Sequence, residues 1–160
     1  MGKQVRHELV YDASVEQVYA MLGDPAFREQ VCDATGVIRH TVTITQSGAG
    51  MDVVVDQVQA AKGLPSFATK FVGDEIQIVQ LETWHYASAA DLEVTIPGKP
   101  GRARGTIALT QTGNSTTEVV SLDVTVSIPF VGGKIEGLIA DLLVKSLKVE
   151  NSVGRQYLRP

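Results

Sequence analysis

Four polar side chains with useful chemistry fall on faces that the hydrophobic pattern predicts to be buried. His7 and His40 each sit between apolar residues in segments of alternating hydrophobicity, which is the pattern of a half-buried strand. Ser146 and Glu150 fall within the apolar arc of a predicted C-terminal helix. Histidine and carboxyl groups can act as general acids or bases, and a buried carboxylate needs a partner, water or a bound ligand.

Each of these residues also has a purely structural interpretation. A histidine on an inner face is commonly a core residue with its hydrogen bonds satisfied. Glu150 lies near the end of the predicted helix, where fraying would leave its carboxylate in solvent. The sequence keeps both interpretations open for each residue.

Familiar catalytic and cofactor motifs are absent from the sequence. Residues 7–11 begin like a zinc-protease motif, but they lack the second histidine and fall on a predicted strand. Gly133-Lys134 has no upstream glycine at phosphate-loop spacing, and Gly48-Ala49-Gly50 leads into a strand rather than a helix. The sequence therefore predicts neither a metal nor a cofactor, and it singles out no catalytic residue.

Three aromatic residues are candidates for lining an interior space. Phe67 and Phe71 are one helical turn apart, and they either cover the mouth of a cavity or plug the core. Trp84 lies near the end of a long predicted strand, where a buried anchoring tryptophan is the usual role.

Hydrophobic periodicity predicts the elements that position these residues. Two short helices follow the first strand, one or two helical turns surround Phe67 and Phe71, and a long helix runs from about Lys134 to near Tyr157. One of Gly132 and Gly133 is expected to take a positive φ where the last strand gives way to this helix. Alternating apolar residues predict strands over residues 3–12, 38–44, 51–59, 75–86, 92–96, 102–112 and 116–128.

Composition supports an α+β domain rich in sheet. The chain has 160 residues, enough for one domain spanning residues 1–160, and its content of 44% hydrophobic and 20% charged residues excludes a disordered protein. Valine, threonine and isoleucine make up more than a quarter of the chain, and β-branched residues favour strands. A long antiparallel sheet and a single amphipathic helix cannot fill all the space between them, so an interior cavity is expected.

Charge and cysteine content narrow the classes of partner. With 14 basic and 18 acidic residues the net charge is −4, which argues against a nucleic-acid-binding protein. The apolar stretches are shorter than the roughly 20 residues of a membrane helix, so no membrane insertion is expected. A single cysteine, Cys32, and a polar N-terminal segment predict a reducing, cytoplasmic location.

Several short segments carry a family resemblance that covers essentially the whole chain. Leu64-Pro65-Ser66-Phe67, residues 70–74, Glu82-Thr83-Trp84 and the stretch Ile128–Glu136 resemble an uncharacterised bacterial family, domain of unknown function 2505. The order of elements is similar to that of the START-like (SRPBCC) superfamily, which includes polyketide cyclases and lipid-transfer domains. The resemblance implies a helix-grip fold, in which a curved seven-stranded antiparallel sheet wraps around the C-terminal helix. It supplies no catalytic residues.

Two functions remain open at this stage, with a third and weaker one beside them. The first is binding of a lipid or other apolar small molecule in a cavity between the sheet and the C-terminal helix. The second is a cyclase or dehydratase activity on an apolar substrate, with His7, His40 or Glu150 as acid or base in the same cavity. The third is a cochaperone-like interaction module. The residues expected to contact the ligand are His40, Val42, Phe67, Phe71, Trp84, Val124, Leu142, Ser146 and Glu150.

Overall fold

The computed structural model describes residues 2–160, and its elements follow the predicted order. Four helices accompany seven strands, and the long C-terminal helix begins two residues before Lys134. The elements are β1 (Lys3–Tyr11), α1 (Val15–Leu22), α2 (Pro25–Thr35), β2 (Arg39–Ser47), β3 (Gly50–Ala60), α3 (Ser66–Val72), β4 (Glu75–Tyr86), β5 (Ala89–Thr95), β6 (Gly101–Thr112), β7 (Ser115–Val126) and α4 (Gly132–Tyr157).

The seven strands form one curved antiparallel sheet with the order β1-β7-β6-β5-β4-β3-β2. Every strand pair except β1–β7 joins neighbours in the sequence, so β2 to β7 form a meander and β1 adds to its last strand. The predicted α+β architecture is confirmed: the sheet curls around α4 in the helix-grip arrangement.

The two short helices begin and end at residues suited to those positions. Ser14 caps α1 in a capping box. Its hydroxyl accepts a hydrogen bond from the backbone N–H of Gln17, and the Gln17 side chain accepts one from the backbone N–H of Ser14. Asp24 caps α2, Pro25 occupies its first turn, and Gly36 ends it with a left-handed backbone at φ 79°. These caps fix where α2 crosses the sheet, and α2 carries one of the functional side chains described below.

The alternation predicted for β2 is confirmed within the strand, but it does not extend to Ile38. His40, Val42 and Ile44 are half-buried, and the threonines between them are exposed. Ile38 lies one residue before the strand and is 49% exposed. Because β2 is an edge strand, the sheet provides no neighbour on that side to cover Ile38.

Helix α4 lies over one side of the sheet rather than over its middle. It packs chiefly against β1, β7 and α2. Ile135 and Ala140 are its buried apolar residues, whereas Leu138 is half-buried and Leu142 is 39% exposed. The apolar arc predicts Leu142 to be a core residue, and that prediction is wrong because this side of the helix faces away from β1 and β7.

The expected positive φ at the junction before α4 falls on Phe130 instead of Gly132 or Gly133. Phe130 has φ 71° and a fully exposed side chain. Gly132 is needed for a different reason, since a Cβ at that position would lie 2.6 Å from the carbonyl oxygen of Val126. A Cβ on Gly133 would have no heavy atom of the other described residues within 4 Å.

Gly132→Ala should therefore destabilise the fold, whereas Gly133→Ala should not. The first substitution forces the end of β7 away from the first turn of α4, at a cost on the order of 1–3 kcal/mol. The second gains helix propensity without a clash and should be neutral or stabilising by up to about 1 kcal/mol. Urea denaturation of both variants tests the contrast, and equal midpoints would contradict the assigned contact.

Candidate functional site

An apolar cavity of about 280 Å³ lies between α4 and the part of the sheet that α4 leaves uncovered. Strands β3, β4 and β5 form one wall, α4 forms the other, and α3 with the end of α2 closes the space. Its apolar lining comprises Leu64, Ala68, Phe71, Val72, Ile76, Ile78, Val94, Ile96, Ile135, Leu138, Ile139, Leu142, Leu143 and Val149.

A second, much smaller space adjoins the cavity on its core side. This inner chamber measures about 30 Å³ and shares Gln80, Val94, Leu143 and Ser146 with the apolar cavity. Three carboxyl side chains line it, those of Glu82, Glu118 and Glu150. A site of this volume admits a water-sized group, which needs roughly 10–15 Å³. The two spaces together form an apolar cavity with a polar inner end.

The polar end is organised by a buried ion pair between α2 and β4. Both guanidinium NH₂ groups of Arg28 donate to Glu82, at 2.9 and 2.7 Å, and Arg28 Nε donates to the carbonyl oxygen of Leu22 at 2.8 Å. Trp84 Nε1 donates to Glu82 at 2.8 Å, and Gln80 Nε2 donates to it at 2.5 Å. Four charge-assisted or neutral hydrogen bonds thus converge on one carboxylate.

These contacts keep both members of the pair ionised. Burial alone would raise the pKa of Glu82, but the Arg28 charge and the hydrogen bonds from Arg28, Trp84 and Gln80 lower that pKa below its ordinary value of 4.5. Burial alone would lower the pKa of Arg28, but the Glu82 and Glu150 carboxylates raise it. Glu82 is therefore occupied by its own partners and is not free to exchange a proton.

Glu118 and Glu150 are a different kind of pair, because the Arg28 charge is already matched by Glu82. Glu118 is 1% exposed, and its Oε1 has no hydrogen-bond partner among residues 2–160. Burial raises the pKa of Glu118 well above its ordinary value, and the charges of Glu150 and Glu82 add to that rise. Burial raises the pKa of Glu150 to about 7, with Arg28 opposing the rise and Glu82 adding to it.

Tyr11 of β1 lies near Glu118 and Glu150, and its buried hydroxyl has no hydrogen-bond partner within residues 2–160. Burial and the charges of Glu150 and Glu118 raise the pKa of its hydroxyl. The tyrosine ring packs against α4 at Gly154, where an added Cβ would lie 2.6 Å from a ring carbon. Tyr11 therefore stays a neutral hydroxyl beside the two carboxyls, and Gly154 gives it room.

The arrangement offers acid–base chemistry at neutral pH. Two neighbouring carboxyls in an apolar setting hold on to protons that solvent-exposed carboxyls would have lost. With the pKa of Glu150 near 7, that group can accept or donate a proton under physiological conditions, and Glu118 holds its proton to a higher pH than an exposed carboxyl does. The same pair can instead bind a hydrogen-bond donor without any reaction.

Several residues predicted from the sequence line these spaces. Phe71, Leu142 and Ser146 line the apolar cavity, and Ser146 and Glu150 line the inner chamber. Trp84 is buried next to the chamber and reaches it through its hydrogen bond to Glu82. Glu150 is 9% exposed, so the alternative of a frayed, solvated helix end is wrong.

Other predicted residues lie away from both spaces. His40 borders a shallow surface depression, and its Nε2 is 3.4 Å from a carboxylate oxygen of Asp33. Val42 and Val124 pack in the main core, and Phe67 packs beside Phe71 and Ile135 in a smaller apolar cluster. His7 is half-buried on β1, on the face shared with Val5 and Leu9. Strand periodicity shows which face of the sheet a residue lies on, but it does not show which part of the curved sheet borders the cavity.

Three charged residues of the site escaped the sequence analysis. Glu82 and Glu118 each share a strand face with a buried residue two positions away, Trp84 and Val120 respectively, so alternation carried a signal for both. Arg28 gave no such signal, because it follows the buried Phe27 in a short helix whose apolar residues do not form a clear stripe.

The described part of the chain offers neither a metal site nor a reactive thiol. Within residues 2–160, no three histidine, cysteine, aspartate or glutamate side chains, those of the inner chamber included, are placed so that they could hold a metal ion. The thiol of Cys32 is buried, and burial with the charge of Asp33 raises its pKa to about 11, so it stays protonated. No helix in residues 2–160 is long and apolar enough to cross a membrane.

Loss of one partner from the buried ion pair should be costly. Arg28→Met leaves the Glu82 carboxylate buried without its counter-ion, and a loss of about 3–5 kcal/mol in the free energy of unfolding is expected. The double variant Arg28→Met with Glu82→Gln should recover part of that loss. Arg6→Met breaks an exposed pair with Glu8 of similar length, 2.9 Å, and should cost less than about 1 kcal/mol. Guanidinium denaturation of the variants would contradict the assignment if Arg28 and Arg6 proved equivalent.

The raised pKa of Glu150 has a defined effect on stability. A carboxyl whose pKa rises from 4.5 to about 7 on folding favours the folded state below pH 4.5, and that contribution is lost as the pH rises to about 7. Glu150→Gln removes this titration. The free energy of unfolding of the variant, relative to that of the unsubstituted protein, should therefore rise by on the order of 3 kcal/mol as the pH goes from 4.5 to about 7. Thermal melts at several pH values measure the difference.

The control for this effect is Asp141→Asn, which removes a carboxylate from an exposed position of the same helix. Its stability should run parallel to that of the unsubstituted protein at every pH. If the Glu150→Gln curve also ran parallel, the carboxyl would not be held in the apolar setting described here.

Solved structures and a curated relative resemble the whole chain. A START superfamily protein from Mycobacterium smegmatis superposes with a TM-score of 0.66 at 14% identity, covering 99% of this chain and 100% of that one. Norcoclaurine synthase from Thalictrum flavum, solved in complex with dopamine and hydroxybenzaldehyde, gives 0.61 at 17% identity over 100% and 90%. The uncharacterized protein Rv0481c of Mycobacterium tuberculosis is 26% identical over 152 residues, 88% of this chain and 87% of its own length.

The structural neighbours confirm the START-like helix-grip fold expected from the sequence. The sequence profile of a family described as protein of unknown function (DUF2505) matches residues 6–158. Because the match takes in almost the entire chain, this protein belongs to the DUF2505 family.

Proposed function

We propose that this protein binds an apolar small molecule in the apolar cavity, with the polar end of the ligand in the inner chamber. One observation carries the proposal: an apolar space of about 280 Å³ shares four lining residues with a chamber that holds two carboxyls, Glu118 and Glu150, not engaged in the Arg28–Glu82 pair. Ligand sites combine these two features, an apolar wall for affinity and a few polar groups for orientation.

The geometry also provides a way in. Leu142 is 39% exposed and lines the cavity, so the space reaches the surface beside α4. Lys145 stands at the same rim, and its charged end can remain in water while its stem covers apolar surface. A ligand can enter between α4 and α3 without separating α4 from β1 and β7.

We place the protein in the cytoplasm, a location that the protonated, buried thiol of Cys32 suits.

Filling the cavity from its rim should abolish binding. Leu142→Trp adds bulk to a partly exposed position, so the fold should tolerate it while the ring occupies the space of the ligand. Titration with the neutral fluorescent probe N-phenylnaphthylamine should give affinity at least about tenfold weaker than for the unsubstituted protein. Native mass spectrometry of the purified protein should show a co-purified apolar molecule that Leu142→Trp lacks.

The matched control is Leu81→Trp, which makes the same change at a site of similar exposure, 37%, outside the two spaces. Its probe affinity should equal that of the unsubstituted protein. Saturable binding that both variants retain would place the ligand elsewhere, and failure of the unsubstituted protein to bind the probe or any co-purified molecule would overturn the proposal.

A second candidate function, acid–base catalysis of the cyclase or dehydratase type, is favoured by the presence of two titratable groups in one chamber. The sequence suggested that His7 or His40 would accompany Glu150, but Glu118 takes that place. A carboxyl with a pKa near 7, beside a second carboxyl whose pKa burial also raises, suits removal of a proton from a carbon next to a carbonyl and its return elsewhere.

Deuterium exchange tests this second candidate without knowledge of the substrate. Small aryl ketones incubated with the protein in deuterated water should gain deuterium next to the carbonyl if Glu150 acts as a base. The rate should rise with pH through about 7 and should fall at least about a hundredfold in Glu150→Gln. Binding of the ketones without any exchange would leave the carrier function alone.

A further inference from the structure

The strongest hydrogen-bond donors beside the inner chamber are already engaged, whereas two of its carboxyls are not. Arg28 donates to Glu82 and to the carbonyl oxygen of Leu22, and Trp84 Nε1 and Gln80 Nε2 also donate to Glu82. The strongest donors of the site are therefore committed to one carboxylate. A ligand cannot use them without breaking the buried ion pair.

The charged or acidic groups left to meet a ligand are the carboxyls of Glu118 and Glu150, with the neutral hydroxyls of Ser146 and Tyr11 near them. Glu118 Oε1 is buried and has no hydrogen-bond partner within residues 2–160, and both glutamate side chains line the chamber. A buried acceptor without a donor costs free energy, which a ligand that supplies the donor would recover. A carboxylate or phosphate ligand would instead bring another acceptor and a repelling charge.

The charge and the size of the inner chamber further limit which donor group a ligand could place there. Arg28 balances Glu82, so an ionised Glu150 leaves this cluster with an excess negative charge that a cation would neutralise. The chamber of about 30 Å³ admits a group the size of water. A primary ammonium has that size and three N–H donors, whereas a quaternary ammonium is larger and has none.

We propose that the ligand is an apolar primary amine, whose ammonium group enters the inner chamber and donates to Glu150 and Glu118 while its apolar part fills the cavity. This inference rests on the proposed binding function and specifies its ligand class. Ser146, at the boundary between the two spaces, offers its hydroxyl to the third N–H.

The proposal predicts a pH dependence of binding. The groups that face Glu150 are Glu118 of β7, Glu82 of β4, Arg28 of α2 and Tyr11 of β1, and the pKa of Glu150 among them lies near neutrality. An alkyl ammonium, with a pKa of about 10, stays charged throughout. Amine affinity should therefore rise as the pH goes from one unit below to one unit above the pKa of Glu150, about 7.

The test compares ligands with the same tail and different ends: decylamine, decanol, decanoate and decyltrimethylammonium. Calorimetric titration above the pKa of Glu150 should show decylamine binding at least about tenfold more tightly than decanol, and the other two more weakly than decanol. The emission of the single tryptophan, Trp84, should report the same order, since its indole lies beside the chamber. Below that pKa, calorimetry in buffers of different ionisation enthalpy should show that binding of the amine releases a proton from Glu150.

Variants separate the ammonium contact from general binding. Glu150→Gln should bring the affinity for decylamine to within about twofold of that for decanol while decanol still binds, and Asp141→Asn should keep the full preference. If Glu150→Gln does not fold, the ligand series and its pH dependence in the unsubstituted protein decide the matter. Equal binding of decylamine and decanol, or strongest binding of decanoate or decyltrimethylammonium, would overturn the amine proposal and leave the binding function intact. If none of the four ligands bound, the proposed binding function would be contradicted together with the amine proposal.

Discussion

The buried ion pair between Arg28 and Glu82 is the interaction on which the rest of the site depends. It joins α2 to the middle of β4, and it does so with a planar guanidinium that fits the carboxylate by two parallel hydrogen bonds. Gln80 and Trp84, which flank Glu82 on the same strand face, complete the set of donors. The donors that hydrogen-bond to Glu82 are not available to Glu118 and Glu150. The Arg28–Glu82 pair therefore determines which polar groups of the inner chamber remain free.

The position of α4 provides the second constraint. A helix can cover only part of a curved seven-stranded sheet, and here α4 packs on β1 and β7 at one edge. The strands β3 to β5 are left with an apolar inner face that no long helix covers. The short helix α3 closes that face without filling it, and the space that remains is the apolar cavity. The cavity thus follows from the fold, whereas its polar end follows from a few particular residues.

The sequence predicted the architecture well because strand and helix periodicities are local signals. The seven strands, the two capped helices and the inward placement of Ser146 and Glu150 all depend on neighbours within a few positions. Local patterns could not predict the exposure of Leu142 or the distance of His40 from the cavity, because both depend on which strands α4 covers. The same limit applies to Arg28, whose partner is 54 residues away.

The conflict between local pattern and buried charge points to function. Three glutamates and one arginine occupy a core that apolar side chains would fill at lower cost, since replacing buried ion pairs by apolar groups is often neutral or stabilising. Arg28 and Glu82 satisfy one another, but Glu118 and Glu150 lie outside that pair, and the burial that raises the pKa of both carboxyls is a cost to the fold. Folds bear such costs at the places where they bind or react. The cost falls at the inner end of the apolar cavity, where the polar end of a bound molecule would relieve it.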